Sequence, residues 1–573
     1  MKTFLKLLKN EQKKKLFFAS LFIIIFSLFI SRNLFTDSLP RTDDLELHGA
    51  RLANYYLAIK QNQFPPYWGP NLNYGFGYPI FLFSYQFPYI TAVIFYFLGL
   101  SIEISLNLTM TIFIISGGLG MFYLSYIKNK NILLAITSAL IYQTTPYMLL
   151  NIFVRGALGE ISFLGILPWI FIFIELRKKS NQWWYKIFSI FIFSSLILSH
   201  PVSLVVAGPL ILIWLFFDGF YFELKNWKKN NYAIKFLFNG FLSLGITAFY
   251  WLPFIFEKKY IVIDGHNIIN NFSNRFLPVK QLLFSRWGHG GADISIPNDV
   301  FPATLGLSIL VILFYSLIKL IKFLKKENSI KKYKDVIFWL VVFFLSVFLM
   351  LPISKKVWNF SKVLPYLQYP WRLLWVSTFS GIMILNSWKK INKFILYIIL
   401  VIVLHHSIFY TNPVGYISNS NHDWLEYFGT STSDNELKAK WFDEHKNIGI
   451  TEKIVLNPPS SNQKIDISSW NGSEMVYEIE TDSSTNVLQK TMYFPGWEAV
   501  VDGEKVDINY MNEEFPGRIN FSLEKGKHNI KVNFTNNTPA RKTGLYLTLV
   551  SIITYIVVIL FSLFKTIKNN KNQ

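Results

Sequence analysis

Cysteine is absent from the 573-residue sequence. Its absence excludes disulfide bonds, thiolate metal sites and cysteine nucleophiles together, and it leaves the redox compartment open. Charged residues are also scarce, at 16% of the chain against roughly 25% in soluble domains, which argues against an ordinary soluble enzyme. The first apolar run has no small-residue cleavage site after it, so we expect a retained helix rather than a cleaved signal peptide.

Apolar residues are abundant instead, at 52% of the chain. Uncharged runs such as Leu16–Ile30 and Leu545–Phe564 are long enough to cross a hydrocarbon layer of ~30 Å as helices. Thirteen apolar segments lie near residues 16–35, 80–99, 105–127, 131–149, 161–176, 187–199, 203–217, 233–254, 303–321, 336–353, 373–388, 391–410 and 543–564. The sequence therefore predicts a polytopic α-helical membrane protein.

The 56 lysine and arginine residues exceed the 35 aspartate and glutamate residues, which gives a net charge of +21. Nucleic acid, anionic lipid and membrane topology all compete to explain this excess. Most basic residues fall between apolar segments, in clusters at residues 2–15, 128–130, 177–186, 225–235, 322–334, 389–393 and 565–571. All clusters share one side of the membrane only if segment 80–99, which contains Pro88 and Gln86, does not cross. We therefore predict about twelve spans plus one interfacial segment, cytoplasmic N and C termini, and no nucleic-acid partner.

This topology places residues 36–104, about 255–302 and 411–542 outside the cytoplasm. We expect a transmembrane domain at 1–410, an extracytoplasmic domain at 411–542, and a final helix with a basic tail at 543–573. Apolar and polar residues alternate in Met475–Glu480 and Ile530–Phe534, and turn signals stand at Asp502-Gly503 and Lys525-Gly526. The pattern predicts a small antiparallel domain, β-sandwich-like from about residue 471.

The first outer loop, residues 36–104, is the leading candidate for chemistry. If its start is helical, Asp44, His48, Arg51 and Tyr55 are spaced four, three and four residues apart and share one face. Such a face combines a carboxylate that can act as base or metal ligand, a titratable imidazole and a cation suited to phosphate. The alternative is a solvated cluster of charges on an interfacial helix.

An aromatic stretch rich in glycine and proline follows at residues 64–85. With the pattern Asp44-x-x-x-His48-x-x-Arg51, it resembles a family of bacterial and archaeal membrane proteins named for a misleading similarity to pyruvoyl-tetrahydropterin synthase. Those proteins look like glycosyltransferases of the GT-C superfamily. Further matches are Tyr142–Tyr147, Val154–Glu160 and Leu198–Pro201, and the end of the chain, Tyr493–Trp497, Val501–Gly503 and Gly526–His528, resembles YfhO-like proteins.

The resemblance implies a GT-C-like membrane domain and glycosyltransferase activity. The enzyme would take a sugar from a polyprenyl-phosphate donor held among membrane lipids. It would pass the sugar to an extracytoplasmic glycan, polymer or lipid acceptor by inverting displacement. Because a carboxylate in the first outer loop is catalytic in GT-C enzymes, the resemblance assigns that role to Asp44, with Asp43 as competitor and His48 beside them. It also implies the plasma membrane of a prokaryote.

The resemblance also suggests a metal and further binding residues. Glu160 stands where related enzymes have a second acidic residue that helps to bind metal, so Mg²⁺ or Mn²⁺ held by Asp44 and Glu160 is one interpretation. Many GT-C enzymes need no metal. The candidates for substrate binding are Arg51, Tyr55, Arg155, Glu160, His200, Arg275, Arg286, His289 and Arg372. Interfacial anchoring is the alternative for Arg275, Arg286, His289 and Arg372, and a helix cap is the alternative for His200.

Two other classes of protein compete with the glycosyltransferase. A lipid or glycan transporter or flippase would carry charges at mid-membrane depth or broken helices in matching halves. The apolar segments here are almost free of charge, and the sequence has no internal repeat. A non-catalytic envelope assembly protein, with the β domain as its binding head, is the other alternative.

Overall fold

The computed structural model describes residues 10–179, 183–221, 232–265, 271–290, 300–325, 330–418, 420–432, 435–447 and 449–571. The basic clusters at 2–15, 177–186, 225–235 and 322–334 lie partly outside these residues, as do the side chains at 565–571.

Helices dominate the chain up to residue 410. The first helices are α1 Glu11–Ile30, α2 Leu45–Lys60, α3 Ile80–Phe83, α4 Phe87–Phe97, α5 Ile102–Asn129, α6 Ile132–Thr144, α7 Pro146–Leu150, α8 Leu158–Lys179 and α9 Trp183–Ser199. They are followed by α10 Pro201–Leu215, α11 Tyr232–Ile246, α12 Ala248–Glu257, α13 Val279–Leu283, α14 Leu307–Leu324, α15 Lys334–Met350, α16 Lys355–Phe360, α17 Leu374–Asn386 and α18 Lys393–Phe409. Two π-helical turns, Asn151–Arg155 and Phe216–Tyr221, continue α7 and α10.

The C-terminal region contains most of the strands. The helices there are α19 Asn421–Leu425, α20 Glu444–Asn447 and α21 Pro539–Lys571. The strands of the whole chain are β1 Leu39–Pro40, β2 Tyr416–Ile417, β3 Ile454–Asn457, β4 Lys464–Trp470, β5 Glu474–Thr481, β6 Thr485–Met492, β7 Trp497–Val501, β8 Glu504–Val506, β9 Arg518–Leu523 and β10 Gly526–Phe534.

Six helices among the described residues are long and apolar enough to cross a membrane. They are Ile102–Asn129, Ile132–Arg155, Leu158–Arg177, Pro201–Asp218, Leu307–Leu324 and Pro539–Ser562. Two helix pairs bent by 68° and 85° raise the number to eight if each pair is one span. The protein is a multi-pass α-helical membrane protein, and the number of twelve spans stays a prediction.

Two short helices, α3 and α4, occupy the segment for which we predicted no crossing. Helix α4 has 11 residues and is therefore about 16 Å long, roughly half the thickness of a hydrocarbon layer. Its start is held to the end of α9, because the backbone N–H of Gln86 donates to the carbonyl of Leu198 at 3.0 Å. Helix α4 alone is therefore too short to cross the membrane.

Helix α2 confirms that the start of the first loop is helical. Its buried face includes Leu45, Ala50 and Leu52, and Gly49 lets the ring of Trp424 pack directly on the helix backbone. A Cβ at Gly49 would lie 2.6 Å from that ring. The helix is thus fixed between the membrane helices and the C-terminal region.

The β-rich region consists of two antiparallel sheets, with strand orders β4-β5-β10-β7-β8 and β3-β6-β9. Alternate residues of β5, namely Met475, Tyr477 and Ile479, are buried, and the Tyr477 hydroxyl donates to Gln489 of β6 at 3.1 Å. The first strand of these sheets begins at Ile454, earlier than the predicted start near 471. Strand β3 has only four residues, a run too short to define a period, and strand β4 is mostly exposed at a sheet edge.

The β-rich region is packed against the membrane helices. The ring of Trp68 lies 5.5 Å from Trp497 and 5.2 Å from Phe534. Arg541 at the start of α21 forms a buried ion pair with Glu257 of α12, with Nη2 and Oε2 2.7 Å apart. The C-terminal region is therefore part of the same folded body as the first loop.

Candidate functional site

A cavity of about 950 Å³ lies between the start of α2, the loop before α4, the starts of α8 and α10, the end of α12, and the C-terminal region. It gathers most of the predicted site residues, which come from distant parts of the chain. Those that line it are Asp43, Asp44, His48, Arg51, Arg155, Glu160, His200, Arg275 and Arg372.

Asp44 stands at the N-terminus of α2. Two backbone hydrogen bonds hold the turn before it. The N–H of Asp43 donates to the carbonyl of Val154 at 3.0 Å, and the N–H of Asp44 donates to that of Arg155 at 2.8 Å. Gly156 permits this close approach. Its φ of +67° is strained for residues with a side chain, and a Cβ at this position would lie only 2.3 Å from the hydroxyl oxygen of Thr42. Within the described part of the chain, no group donates a hydrogen bond to the Asp44 carboxylate. A carboxylate in the cavity is thus left available to a ligand.

Asp43 is the second carboxylate at this point, and it is more exposed than Asp44. Its Oδ1 lies 3.9 Å from Nδ1 of His289. Partial burial raises the pKa of Asp43 and the charge of Asp44 adds to the rise, while His289 and Arg155 oppose it. His289 flanks Asp43 without lining the cavity, and Arg286 is exposed away from it.

Glu160 lies in the first turn of α8 and is almost fully buried. Its Oε1 accepts from Nη1 of Arg155 at 2.9 Å and from Nε of Arg372 at 3.1 Å, and its Oε2 accepts from the Tyr147 hydroxyl. Both oxygens are therefore occupied by protein donors. The interpretation of Glu160 as a metal ligand does not fit this arrangement. Across the described residues, no group of three histidine or acidic side chains could hold a metal ion.

Arg155 and Arg372 keep donors for a ligand. The Arg155 guanidinium lies 4.7 Å from the centre of the Trp371 ring, and Arg372 lies 4.9 Å from that of Tyr369. Nη1 of Arg372 donates to the Gln368 side chain at 2.6 Å and to a backbone carbonyl. No described residue accepts a hydrogen bond from Nη2 of either arginine. Two fixed guanidinium groups in a cavity suit an anionic ligand.

His48 holds two tyrosines in place. Its Nδ1 lies 2.7 Å from the Tyr89 hydroxyl and its Nε2 lies 3.1 Å from that of Tyr85. Burial, with the nearby charge of Arg51, lowers the pKa of His48 well below its usual value, so the ring is neutral. Tyr85 lines the cavity. The sequence does not mark it as a site residue, because tyrosine is common at membrane surfaces whatever the function of the protein. His48 therefore positions Tyr85.

Only the N-terminal part of the predicted α2 face lines the cavity. Arg51 lines the cavity, and its Nη2 donates to the carbonyl of Ser431 in the C-terminal region. Tyr55 does not line it: the hydroxyl donates to Gln86 at 2.9 Å and the ring packs against Phe81. The prediction for Tyr55 needs correction, because 11 residues of helix place it about 16 Å along the axis from Asp44.

His200 combines a structural role with a place in the cavity. Its Nδ1 accepts from the backbone N–H of Ser203 at 3.2 Å and caps α10. Burial lowers the pKa of His200 to about 3, although the charge of Glu160 opposes the shift, so the ring is neutral. Because Nδ1 accepts the cap hydrogen bond, the proton of the neutral ring is on Nε2. Arg275 also lines the cavity, with its guanidinium carbon 5.9 Å from the centre of the Tyr369 ring.

One edge of the cavity is apolar. It is formed by Val202 and Val205 of α10 and by Phe254 and Ile255 of α12. Val205 is 37% exposed and Ile255 is 57% exposed. Further exposed apolar side chains, including Phe256, continue this edge along the helix surfaces. In a membrane such an edge would contact lipid chains.

The chain belongs to the family described as 6-pyruvoyl-tetrahydropterin synthase related domain, membrane protein, whose model matches residues 82–414, more than half of the chain. The predicted resemblance to this family is confirmed. No curated protein matches the sequence. Among solved structures, the chain is similar to one titled "Single-Particle Cryo-EM Structure of Arabinofuranosyltransferase AftD from Mycobacteria", with a TM-score of 0.42 and 13% identity over 71% of this chain and 28% of that chain. This chain spans less than a third of that protein.

Proposed function

We propose that this membrane protein of the 6-pyruvoyl-tetrahydropterin synthase related family is a glycosyltransferase that uses a polyprenyl-phosphate sugar. The observation that supports the proposal is the content of one cavity. It combines the Asp44 carboxylate, the guanidinium groups of Arg155 and Arg372, and an apolar edge. A lipid-linked phosphosugar needs all three: a base for the acceptor, cations for the phosphate and an apolar path for the lipid.

The phosphate would bind at the arginines. Six lysine and arginine side chains and four carboxylates line the cavity, and Glu160 already neutralises part of the charge of Arg155 and Arg372. Because that carboxylate holds both guanidinium groups in place, little ordering is needed when the phosphate binds. Charge that develops on the leaving phosphate would meet donors that are already oriented.

The lipid chain would leave the cavity between α10 and α12. Val205 and Ile255 line the cavity and are also exposed on the helix surface, so an isoprenoid chain could extend from the site along this apolar edge into the membrane. A chain that follows this apolar edge avoids exposure to water, which would cost about 25 cal/mol for each Å² of apolar surface.

The reaction we propose is a single inverting displacement. The acceptor hydroxyl oxygen forms a bond to the anomeric carbon, while the bond from that carbon to the phosphate oxygen breaks and its electron pair leaves with the phosphate. The proton of the hydroxyl passes to the Asp44 carboxylate. Asp43, whose pKa is raised, is the alternative proton acceptor. No covalent intermediate forms.

The proposal includes the topology of about twelve spans, with both termini cytoplasmic and the cavity outside the cytoplasm of a prokaryotic cell. The chain has no cysteine, so a single Ser101→Cys substitution gives a clean test. In intact cells an impermeant maleimide should label residue 101. Labelling only after the cells are permeabilised would contradict the non-crossing assignment of segment 80–99.

The activity is tested in membranes supplied with undecaprenyl phosphate that carries a ¹⁴C-labelled sugar. Asp44→Asn should lower transfer by about a hundredfold or more, as expected for loss of a general base. Asp37→Asn is the matched control, because Asp37 is exposed in the same loop and does not line the cavity. Full transfer by both Asp44→Asn and Asp43→Asn would exclude the catalytic assignment. Movement of undecaprenyl phosphate across liposomes without any transfer would support a flippase instead.

A further inference from the structure

A six-residue segment of the C-terminal region, residues 435–440, forms part of the cavity wall; we name it the connector arm. It pairs with the residues that follow α12. The backbone N–H of Lys440 donates to the carbonyl of Tyr260 at 3.0 Å, and that of Val262 donates to the carbonyl of Lys438 at 3.3 Å. Ile261 and Ala439 form an antiparallel bridge between them. The arm thus lies beside the segment that carries Lys258 and Lys259, both of which line the cavity.

The other side of the connector arm is fixed to the first loop. The Tyr78 hydroxyl accepts from the backbone N–H of Leu437 at 3.0 Å and contacts the hydroxyl of Thr432 at 2.9 Å. The Asn435 side chain donates to that of Asn73 at 3.1 Å. Because Tyr78 is fully buried, its hydroxyl is a fixed point for the arm. The arm is therefore held on both sides, as a rigid binding surface should be.

Glu436 and Leu437 of the connector arm line the cavity. A carboxylate in this wall is unsuited to phosphate, because the two negative charges repel each other. It is suited to sugar hydroxyl groups, since a carboxylate has about four acceptor positions and can bind hydroxyl groups beside another partner, each bond being stronger than one between neutral groups. Leu437 places an apolar surface beside it.

We infer that Glu436 is a specificity-determining residue, which binds the hydroxyl groups of a sugar acceptor from the connector arm. The inference depends on the proposed function and extends it to the acceptor. The arginines and the apolar edge account for the phosphate and lipid of the donor, while Asp44 accounts for the proton. The arm then gives the C-terminal region a direct role in choosing the acceptor.

Kinetics of the full-length protein test the role of Glu436. With labelled undecaprenyl-phosphate sugar as donor and a panel of methyl glycosides as acceptors, Glu436→Gln should raise the acceptor KM by about tenfold or more. Hydrolysis of the donor by water should change by less than about twofold, because the donor site is intact. Glu426→Gln is the control, an exposed carboxylate of the same region outside the cavity. An unchanged acceptor KM, or an equal fall in hydrolysis, would overturn the inference.

Tyr78→Phe tests the arm through its attachment. Loss of the hydroxyl leaves the N–H of Leu437 without its acceptor, so the arm loosens while the donor site is untouched. We expect a higher acceptor KM with little change in donor hydrolysis. A purely structural role would lower both activities together with the amount of folded protein.

Cysteine protection separates this inference from the proposed function. In the cysteine-free chain, Glu436→Cys should be protected from maleimide by the methyl glycosides and not by undecaprenyl phosphate, and Val205→Cys should show the reverse. Protection at 436 without any transfer by the wild type would support the sugar site and contradict the glycosyltransferase. Transfer that Glu436→Gln leaves unchanged, without protection at 436, would contradict the sugar site alone.

Discussion

Nε of Arg372 lies 3.1 Å from Oε1 of Glu160, which joins the segment before α17 to the first turn of α8. The same oxygen accepts from Arg155 at 2.9 Å. A carboxylate shared by the buried guanidinium of Arg155 and the partly buried guanidinium of Arg372 orients both groups and limits their repulsion. Glu160 therefore acts on the cavity through the arginines.

Removal of the Glu160 charge should destabilise the protein. Glu160→Gln leaves the buried Arg155 and the partly buried Arg372 without their counter-charge, and breaking a buried ion pair in this way costs about 3–5 kcal/mol. Glu498→Gln, which breaks a more exposed pair with Lys505, should cost less than about 1 kcal/mol. Thermal unfolding in detergent, followed by tryptophan fluorescence, checks both. Equal Tm values for the two variants would contradict the role of Glu160.

Arg372→Lys should weaken donor binding. A lysine keeps the charge but has no planar fork with which to contact Glu160 and a phosphate at the same time. We expect the affinity for undecaprenyl phosphate to fall by about tenfold, as for loss of one charged hydrogen bond. Arg286→Lys is the control, because Arg286 is exposed and does not line the cavity. An equal effect of both substitutions would exclude Arg372 from the phosphate site.

The grouping of Asp44, Arg51, Arg155 and Arg372 in one cavity could be predicted in outline from the sequence. Asp44 and Arg51 stand in the first outer loop, Arg155 and Arg372 stand near the ends of apolar segments, and the alternation of basic clusters assigns all four to one side. Tyr55 could not be excluded in this way, because spacing defines the face of a helix and not the point at which the cavity ends along its axis.

The individual contacts between distant parts of the chain could not be predicted. The ring of Trp287, two residues before His289, stacks on that of Tyr410 with the ring centres 4.6 Å apart. The connector arm reaches the cavity through backbone bonds to residues 260–262, which no local pattern reveals. The sequence marks Glu160 as a candidate site residue, but its hydrogen-bond partners decide its role, and Arg372 is remote from it in sequence. Long-range pairing determines these features.

Gly156→Ala should lower activity more than stability. The residue has a φ of +67°, and a Cβ would collide with Thr42 and approach the backbone of Leu45, which displaces the turn that carries Asp44. Gly99→Ala is the matched control, since Gly99 has a φ of +91° and open space around its Cβ. Each substitution costs about 1 kcal/mol in backbone strain, and only Gly156→Ala should also lose most of the transfer activity. Equal activity of the two variants would contradict a tight constraint on the Asp44 turn.

His200 should make the protein less stable in mild acid. Burial lowers its pKa from 6.5 to about 3, so the folded ring stays neutral while the ring of the unfolded chain takes up a proton below pH 6.5. The unfolded state then binds more protons between about pH 3 and pH 6.5, and stability rises with pH across this window. From pH 7 to pH 5 the loss due to this ring is about 2 kcal/mol.

His200→Asn tests this sign directly, because asparagine keeps a side-chain cap on α10 and cannot titrate. The Tm of the variant should fall less than that of the wild type between pH 7 and pH 5, measured by tryptophan fluorescence in detergent. His445→Asn, which removes an exposed histidine of α20, should follow the wild type. Parallel curves for the wild type and His200→Asn would mean that the imidazole of His200 already carries its proton in the folded protein, and the cap would then have to be formed by other atoms.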